Sequence, residues 1–270
     1  AERVLAAIGD HLGRPAPLVK GEPAPGESPA QLIVVRVAHD HCTISVDTSG
    51  ELLHRRGYRL ATAKAPLRET LAAAMLLATG WDAAHPLVDP FCGSGTIAIE
   101  AALLARGIPP GALRAGDPSG FAFMQWPGYD AALWQSIVQA RQPRLAADCP
   151  PILASDRDAG AIRMAQANAE RAGVAENITF TCQAVSAITP PPGPGWLVTN
   201  PPYGLRVSAS KDLRNLYAQL GNVLRAKCPG WQVGILCSDL KLLGQTGLRL
   251  DTSFSMVNGG VSVHLGRGVV

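Results

Sequence analysis

Short apolar runs alternate with helical patterns along most of the chain. Four of these runs have the length of buried strands and lie at 87–89, 152–156, 196–199 and 231–237. Ala- and Leu-rich stretches with a helical period follow the first two runs, at 97–106 and 159–172. Buried strands that alternate with helices predict an α/β fold built on a mainly parallel sheet.

The amino-terminal part of the chain carries a different pattern. Residues 1–14 predict a helix, and residues 15–30 predict a loop rich in Pro, Gly and Ala. Residues 31–38 and 42–46 alternate in the manner of a hairpin that turns at Asp40-His41. With 270 residues, 47% of them hydrophobic, the chain can bury one large α/β core and carry a small appendage.

Three further segments frame the predicted sheet. A helix over 66–79 leads into it, and a long insertion over 107–150 separates its first helix from its second strand. Residues 249–256 and 260–265 predict a closing hairpin around Asn258-Gly259. No internal repeat is evident.

The turn between the first strand and its helix has the chemistry of a cofactor loop. Its sequence is Asp89-Pro90-Phe91-Cys92-Gly93-Ser94-Gly95-Thr96. Glycines let the backbone approach a ligand closely, and the helix that follows points its first N–H groups at negative charge. The spacing is neither the dinucleotide Gly-x-Gly-x-x-Gly nor a Gly-Lys-Ser/Thr phosphate loop, which argues against NAD and ATP. Asp89 suits the cationic amine of S-adenosylmethionine, and the alternative is a glycine turn without a ligand.

The second strand also ends in a carboxylate, Asp156. In doubly wound folds a carboxylate at this place binds ribose hydroxyls, and we expect Asp156 to do so. Its alternative role is to cap the following helix. Asp158 is better placed for capping, which leaves Asp156 for the ligand.

The third run, at 196–199, leads into Asn200-Pro201-Pro202-Tyr203-Gly204, and this motif indicates methylation of an amine. Two prolines hold a rigid turn beyond the carboxyl end of the strand, where open α/β sheets bind ligands. The Asn200 side-chain oxygen and the Pro201 carbonyl would each accept one N–H of an exocyclic base amine, so that its lone pair faces the methyl donor. Tyr203 would stack on the base. The alternative is a chance match in a proline-rich chain.

With these motifs the chain resembles class I S-adenosylmethionine-dependent methyltransferases, and more narrowly the bacterial THUMP-containing RNA guanine-N2 methyltransferases of large-subunit ribosomal RNA. The resemblance covers about residues 31–268 and includes three further stretches. They are 47–59 (DTSGELLHRRGYR), 65–72 (APLRETLA) and the loop's extension through Ile99-Glu100-Ala101-Ala102. Phe121-Ala122-Phe123, Trp126-Pro127 and Trp134 in the insertion match the ribosomal branch better than the tRNA branch. Members are often labelled adenine-N6 DNA methylases because they share the Asn-Pro-Pro-Tyr motif.

The resemblance implies a Rossmann-like sheet of strand order 3-2-1-4-5-7-6 with its last strand antiparallel. It divides the chain into a partial THUMP-like RNA-binding region with a linker at 1–58 and a methyltransferase domain at 59–270. The earlier part of the THUMP region is missing, so either the chain is a fragment or its RNA-binding module is reduced.

One position departs from the family pattern. In the family, an acidic residue usually follows the third strand, which here lies before the run at 196–199, and binds the adenine amine. Residues 180–185 (FTCQAV) occupy this place and contain no acidic residue. Backbone groups near Gln183 and Ala184 are expected to hold the adenine instead. Arg157 completes the expected cofactor site. Arg68 and Thr70 are expected to reach the cofactor's carboxylate, and their alternative roles are exposure on the surface and packing.

Composition adds little to this picture. A net charge of +3 is a smaller bias than the basic face of a dedicated RNA-binding domain. Six scattered cysteines and six histidines show no metal-ligand spacing and no disulfide framework, which fits a reducing cytoplasm. Cys92 invites comparison with cytosine-C5 methylation, which we reject because Asn-Pro-Pro-Tyr serves a different chemistry. No apolar run is long enough for a membrane helix, and no signal peptide pattern opens the chain.

Two segments have alternative interpretations. The basic run 54–59 (HRRGYR) either contacts phosphates or is a solvated linker. Phe121, Phe123 and Trp126 either guide the RNA or, as we favour, pack over the sheet.

The function predicted from the sequence is methyl transfer from S-adenosylmethionine to guanine N2 in RNA, most simply 23S ribosomal RNA. The target base must be unpaired or extruded. Alternatives are tRNA guanine-N2 methylation, adenine-N6 methylation of DNA, and a catalytically silent RNA-binding factor. The sequence does not specify the oligomeric state.

Overall fold

The computed structural model describes residues 2–18, 30–59, 67–115, 120–140, 145–203 and 210–270. The helices are α1 (Glu2–Leu12), α2 (Glu69–Ala78), α3 (Thr96–Arg106), α4 (Ala112–Ala115), α5 (Ala131–Gln139), α6 (Ala159–Arg171), α7 (Ser210–Lys227) and α8 (Leu240–Gln245). The strands are β1 (Ile33–Ala38), β2 (His41–Val46), β3 (Leu87–Asp89), β4 (Ile152–Asp156), β5 (Ile178–Cys182), β6 (Trp196–Thr199), β7 (Gln232–Cys237), β8 (Asp251–Asn258) and β9 (Val261–Val269). The predicted helix start at Pro66, most of the predicted loop 15–30, and Gly204 lie outside the described residues.

The contacts divide the chain into two compact units. The first comprises Ala1–Leu52 and Ala115–Ala131, and the second comprises Leu53–Arg114 and Ala132–Val270. The first unit therefore combines the amino-terminal segment with part of the long insertion. We call them the amino-terminal unit and the sheet unit.

The amino-terminal unit contains the predicted hairpin of β1 and β2. Its turn is one residue earlier than predicted, at His39-Asp40, because Ala38 pairs with His41. His39 and Asp40 both have positive φ angles, 49° and 58°, as a two-residue hairpin turn of type I′ requires.

The aromatic residues of the insertion belong to this amino-terminal unit. The rings of Phe121 and Phe123 stack with centroids 5.6 Å apart. The Phe123 N–H donates to the Thr48 carbonyl at 3.2 Å. Trp126 Nε1 donates to Gln31 Oε1 at 2.6 Å. These contacts lie within the unit that carries the hairpin, and the packing of these aromatic residues over the sheet stays a prediction.

The sheet unit is built on seven strands in the order β5-β4-β3-β6-β7-β9-β8. Strands β3 to β7 pair in parallel, and β9 is antiparallel to both of its neighbours. Counted from β3 as the first strand, this is the predicted order 3-2-1-4-5-7-6, so the predicted Rossmann-like fold is confirmed. The carboxyl ends of β3, β4, β5 and β6 meet at one edge.

Apolar side chains cover both faces of the sheet. Helices α2, α3 and α6 contribute residues such as Met75 and Ile99 to one face. Helices α7 and α8 contribute Tyr217, Leu224 and Leu243 to the other. Helix α3 is buried on nearly all sides, as its Ala- and Leu-rich sequence predicts.

The closing hairpin of β8 and β9 turns at Gly259-Gly260, one residue later than predicted, because Asn258 pairs with Val261. Both glycines have positive φ angles, 58° and 83°, which residues with a Cβ adopt less readily. Among the described helices, none combines the length and the hydrophobicity needed to cross a lipid bilayer.

Candidate active site at the carboxyl edge of the sheet

The loop between β3 and α3 forms a tight turn held by backbone hydrogen bonds. The Cys92 N–H donates to the Ser155 carbonyl of β4 at 2.9 Å, and the Gly95 N–H donates to the Cys92 carbonyl at 2.8 Å. Gly95 has a φ of 85°, and a Cβ there would lie 3.0 Å from the Ala165 Cβ of α6. Gly93 has a φ of 52°, but a Cβ there would meet nothing within 4 Å. One glycine thus allows close packing, and the other faces open space that a ligand could enter.

Asp89 ends β3 in a buried position with 1% of its surface exposed. Its Oδ1 accepts hydrogen bonds from Thr199 Oγ1 at 2.7 Å and from the Phe91 N–H at 3.3 Å. Burial raises the pKa of Asp89 to about 7, although both hydrogen bonds oppose that rise. A cation beside Asp89 would stabilise its charged form. Since Thr199 directly precedes Asn200, this contact also joins the loop to the Asn-Pro-Pro-Tyr turn.

Asp156 ends β4 and holds the loop from its neighbouring strand. Its Oδ2 accepts from the Gly93 N–H at 3.1 Å, and its Oδ1 accepts from the Asp158 N–H at 3.0 Å. Each carboxylate oxygen retains acceptor capacity for a further donor. Asp158 caps α6 by accepting from the Gly160 N–H at 2.7 Å, so the predicted cap at Asp158 is confirmed. Arg157 is exposed between them.

The turn after β6 presents an unsatisfied acceptor. Among the described residues, Asn200 Oδ1 is buried and has no hydrogen-bond partner. Pro201 is buried, and Pro202 is exposed. A buried acceptor without a partner costs about 1–3 kcal/mol, so its presence points to a ligand that donates to it.

Tyr203 is half-buried and fixed at both ends. Its ring packs against the apolar clusters of both sheet faces, and its hydroxyl accepts from Asn258 Nδ2 at 3.3 Å. Burial raises the pKa of Tyr203. Its ring is therefore held in place within the Asn-Pro-Pro-Tyr turn.

A cavity of about 190 Å³ lies beside the carboxyl halves of β4 and β5. Its lining residues are Val88, Leu153, Ala154, Ser155, Thr181, Gln183, Ile188 and Thr189. This volume is below the roughly 300–1,000 Å³ of sites for drug-sized ligands, so it suits one part of a larger cofactor. The Gln183 N–H is already engaged, because it donates to the Asp156 carbonyl at 2.9 Å.

Residues 56–266 match the model of the family UPF0020, described as an RMKL-like methyltransferase domain. The chain belongs to this family. It is therefore a methyltransferase domain, which is the enzyme class predicted from the sequence. We call it the UPF0020 domain below.

Relatives with known names or structures agree with this assignment. The UPF0020 chain is 45% identical over 222 residues to the ribosomal RNA large subunit methyltransferase K/L of Shewanella baltica (strain OS185), which covers 80% of this chain and 31% of that relative. It thus spans about a third of the length of the curated relatives it matches. The crystal structure of SMU.472 complexed with SAH is 28% identical with a TM-score of 0.81, over 98% of this chain and 67% of the other. A protein from Listeria monocytogenes str. 4b F2365, described as a predicted N6-adenine-specific DNA methylase, is 30% identical with a TM-score of 0.77, over 98% and 66%.

Two other predicted site residues of the UPF0020 domain lie at the start of α2. Arg68 occupies the position before the helix and is exposed, and Thr70 is half-buried. Buried Cys92 is a different case, because burial raises the pKa of its thiol and keeps it neutral. A neutral thiol is a poor nucleophile, which agrees with the rejection of the cytosine-C5 route. Within the described residues, no group of three or more His, Cys, Asp or Glu side chains could hold a metal ion.

The sequence interpretation missed the role of the basic run in the UPF0020 domain. Arg56 and Tyr58 are 7% and 0% exposed. Arg56 Nη2 lies 3.2 Å from Glu100 Oε2, and the Tyr58 hydroxyl donates to Glu100 Oε1 at 3.0 Å. For these residues both proposed roles, phosphate contact and solvated linker, are wrong. The signal was Glu100 itself, a lone carboxylate in an otherwise apolar helix that needs partners when buried.

Proposed function

We propose that this domain transfers a methyl group from S-adenosylmethionine to the exocyclic N2 amine of a guanosine in large-subunit ribosomal RNA. The observation that carries the proposal is the buried, unpartnered Asn200 Oδ1, joined through Thr199 to the cofactor loop. S-adenosylmethionine is the cofactor of this methyltransferase domain, and it supplies an electrophilic methyl group on a sulfonium.

The residues of the carboxyl edge fit this cofactor. Asp89 would hold the cationic amine, because a buried carboxyl whose pKa lies near 7 gains its charge when a cation binds beside it. Asp156 has acceptor capacity left for ribose hydroxyls. The backbone of residues 90–96 would line the methionyl part, with Gly93 facing open space.

The adenine would lie against the cavity beside β4 and β5. Because the Gln183 N–H is engaged, the Gln183 side chain is the more available donor and acceptor there. Ala184 follows it, and Arg157 would lie at the ribose end. Arg68 and Thr70 would face the cofactor's carboxylate.

The Asn-Pro-Pro-Tyr turn would hold the target amine. Asn200 Oδ1 and the Pro201 carbonyl each accept one N–H, which directs the nitrogen lone pair at the methyl group. The rigid prolines hold both acceptors in place before the base arrives. The Tyr203 ring, fixed by its hydrogen bond to Asn258, would stack on the base. Catalysis then consists of alignment and electrostatics without a covalent intermediate.

The RNA substrate is supported by the relative from Shewanella baltica, whose name states that it modifies large-subunit ribosomal RNA. We assign RNA binding to the amino-terminal unit, which resembles the trailing part of a THUMP region. A second candidate is adenine-N6 methylation of DNA, favoured by the description of the Listeria monocytogenes relative.

The decisive experiment combines cofactor binding with product analysis. Isothermal titration with S-adenosylmethionine comes first, followed by labelled methyl transfer to unmodified large-subunit RNA and to DNA of defined sequence. Binding followed by N2-methylguanosine in the RNA is the expected result. N6-methyladenine in the DNA would favour the second candidate, and binding without transfer to either would overturn both.

A further inference from the structure

The residues 56–59, which we call the strap, lie against α3 within the sheet unit. Arg56 and Tyr58 both contact Glu100, one helical turn after Thr96. The Arg56 side chain also donates to the Leu53 carbonyl at 3.1 Å. The strap thus lies against the helix that begins at the cofactor loop.

Arg59 extends this contact to the first residue of the helix. Its Nη2 donates to Thr96 Oγ1 at 2.6 Å and to the Leu67 carbonyl at 2.9 Å. Its Nε lies 3.6 Å from Glu69 Oε1, and the two side chains are 8% and 5% exposed. A cation at the amino end of a helix opposes the helix dipole, so the Glu69 carboxylate is needed to offset its charge.

A second series of hydrogen bonds joins the strap to the loop from the side of α6. Arg171 Nε donates to the Tyr58 carbonyl at 2.7 Å, and Arg171 Nη2 donates to Asn168 Oδ1. Asn168 Nδ2 then donates to the Ser94 carbonyl at 3.0 Å. Asn168 is fully buried, and the bond from Arg171 fixes which end of its amide faces Ser94.

The two series end on either side of Gly95. A Gly-Ser-Gly turn has a large conformational freedom to lose. Its Cys92 and Gly93 N–H groups bond to Ser155 and Asp156 at the end of β4, and buried side chains hold it at two further points, Ser94 and Thr96. A loop held in its binding geometry before the ligand arrives loses less entropy on binding.

We propose that Arg59 and Asn168 are positioning residues for the cofactor. They act through Thr96 and Ser94 and hold the loop in the geometry that binds the methionyl part. The inference rests on the proposed function for its ligand, but the structural claim concerns the loop alone. The proposal predicts that substitution of Arg59 or Asn168 weakens cofactor binding. Turnover at saturating cofactor should change little.

The first test is Arg59→Lys in the full chain. Lysine keeps a positive charge near Glu69 but lacks the planar fork that donates to Thr96 and Leu67 together. Titration with S-adenosylmethionine should give an affinity reduced about tenfold, the scale of one hydrogen bond to a charged group. The KM for the cofactor should rise equally, with kcat within about twofold. A kcat that falls while the KM stays unchanged would overturn the proposal.

The matched control lies at the other end of the same helix. Arg106 Nη1 pairs with Glu176 Oε1 at 3.1 Å in the last turn of α3. Arg106→Lys makes the same chemical change away from the loop, so it should alter cofactor affinity by no more than about twofold. An equal loss of affinity in both variants would mean that any perturbation of α3 suffices, and would overturn the specific role of Arg59.

A double-mutant cycle tests whether Arg59 acts through Thr96. Thr96→Val keeps the shape of the side chain and removes the hydroxyl acceptor. If Arg59 works through that hydroxyl, the affinity losses of Arg59→Lys and Thr96→Val should not add in the double variant. Fully additive losses would mean that Arg59 acts independently of Thr96, which contradicts the proposal.

Asn168→Asp tests the second series of hydrogen bonds, which ends at Ser94. The carboxylate keeps the size of the amide and pairs with Arg171, so the fold should be retained. It presents no donor to the Ser94 carbonyl, and cofactor affinity should therefore fall about tenfold. An unchanged affinity in a folded Asn168→Asp protein would remove Asn168 from the proposal.

Hydrogen exchange without cofactor measures directly how firmly the loop is held. Amide exchange across residues 93–96 should be faster in Arg59→Lys and Asn168→Asp than in the unmodified chain and in Arg106→Lys. Unchanged exchange would overturn the inference whatever the enzyme does. A chain that binds S-adenosylmethionine, shows the faster exchange and methylates no nucleic acid would instead overturn the proposed function alone.

Discussion

The cofactor loop and the Asn-Pro-Pro-Tyr turn lie at the same edge of the sheet but differ in how their polar groups are satisfied. In the loop, Asp89 and Asp156 each accept two hydrogen bonds, and the Ser94 carbonyl accepts one from Asn168. In the turn, Asn200 Oδ1 is buried with no partner among the described residues. One region is held by the protein itself, and the other keeps an acceptor for something else.

The difference follows from what each region would bind. A cofactor with several polar groups gains most from a site whose geometry is already fixed. A base amine that must be held for reaction gains most from acceptors that no protein group occupies. Thr199 links the two regions, because its hydroxyl binds Asp89 and its neighbour is Asn200.

Removing the open acceptor should have the largest effect. Asn200→Ala should lower methyl transfer by about 10²- to 10³-fold, as loss of one preorganised polar group does, because nothing else aligns the amine. S-adenosylmethionine affinity should stay within about twofold of the unmodified chain, since the loop is unaltered. Single-turnover methyl transfer and titration measure the two quantities.

The control for Asn200→Ala is Asn222→Ala, the same change at an exposed position of α7. The thermal midpoint of Asn200→Ala should be equal to or above that of the unmodified chain, because the unsatisfied acceptor is gone. Retained turnover in Asn200→Ala would contradict the amine clamp, and a strongly lowered midpoint would show that Asn200 has a structural partner.

Asp89→Asn should have the next largest effect, on the cofactor side. The amide can still accept from Thr199, but it cannot carry the charge that a cationic amine requires. Affinity for S-adenosylmethionine should fall about 10- to 100-fold at pH 8, the range for a hydrogen bond between charged groups. Equal affinities of the two proteins at pH 8 would exclude Asp89 as the partner of the amine.

The pH dependence of binding sharpens this prediction. Since the pKa of Asp89 is raised to about 7, its carboxyl is neutral below that pH, and the affinity of the unmodified chain should fall as pH drops below 7. In Asp89→Asn that part of the pH dependence should disappear. Titrations over about pH 5.5 to 8.5, the range in which such a group changes charge, measure it.

Stability without the cofactor should change in the opposite sense. The folded state holds the Asp89 proton more tightly than the unfolded chain, so its contribution to stability is present at low pH and is lost as pH rises toward 7. Asp89→Asn should therefore raise the thermal midpoint at pH 8 and have little effect near pH 4. A lowered midpoint at pH 8 would mean that the charged carboxylate stabilises the empty site.

The edge of the sheet could be predicted from the sequence because its strands and turns are local signals. Apolar runs that lead to Asp89, Asp156 and Asn200 predicted the strands and the edge where these side chains meet, whereas the strand order was implied by the family resemblance. The fold was confirmed, and so was the assignment of Asp158 to the cap of α6. The roles of the site residues toward ligands remain predictions.

Long-range polar contacts could not be predicted in this way. Arg56 and Tyr58 lie more than 40 positions from Glu100, and a basic run has the same composition whether it is buried or solvated. The aromatic residues of the insertion pose a similar problem, since apolarity predicts packing without naming the partner. Both hairpin turns were one residue off, because the pairing of the flanking strands fixes the register.

Tyr203 offers a smaller test on the substrate side. Tyr203→Ala should raise the KM for RNA in line with a stacking contribution of about 1–3 kcal/mol per base. Tyr203→Phe keeps the ring and loses only the bond to Asn258, so its KM should stay within about threefold of the unmodified chain. If the two variants behave alike, the hydroxyl matters more than the ring, and stacking is not the role of Tyr203.

Gln183→Ala should have the smallest effect of the series. The side chain lines the cavity beside β4 and β5 but carries no charge, and its backbone N–H bond to Asp156 survives the substitution. The affinity for S-adenosylmethionine should fall about two- to tenfold, the scale of one neutral hydrogen bond, with kcat unchanged. Gln183→Glu, which introduces an acidic group at this place, should bind at least as tightly as the unmodified chain. The reason is that an adenine amine can donate to either side chain, and the carboxylate adds a negative charge. Weaker binding in Gln183→Glu would mean that the adenine lies elsewhere and that another part of the ligand occupies the cavity.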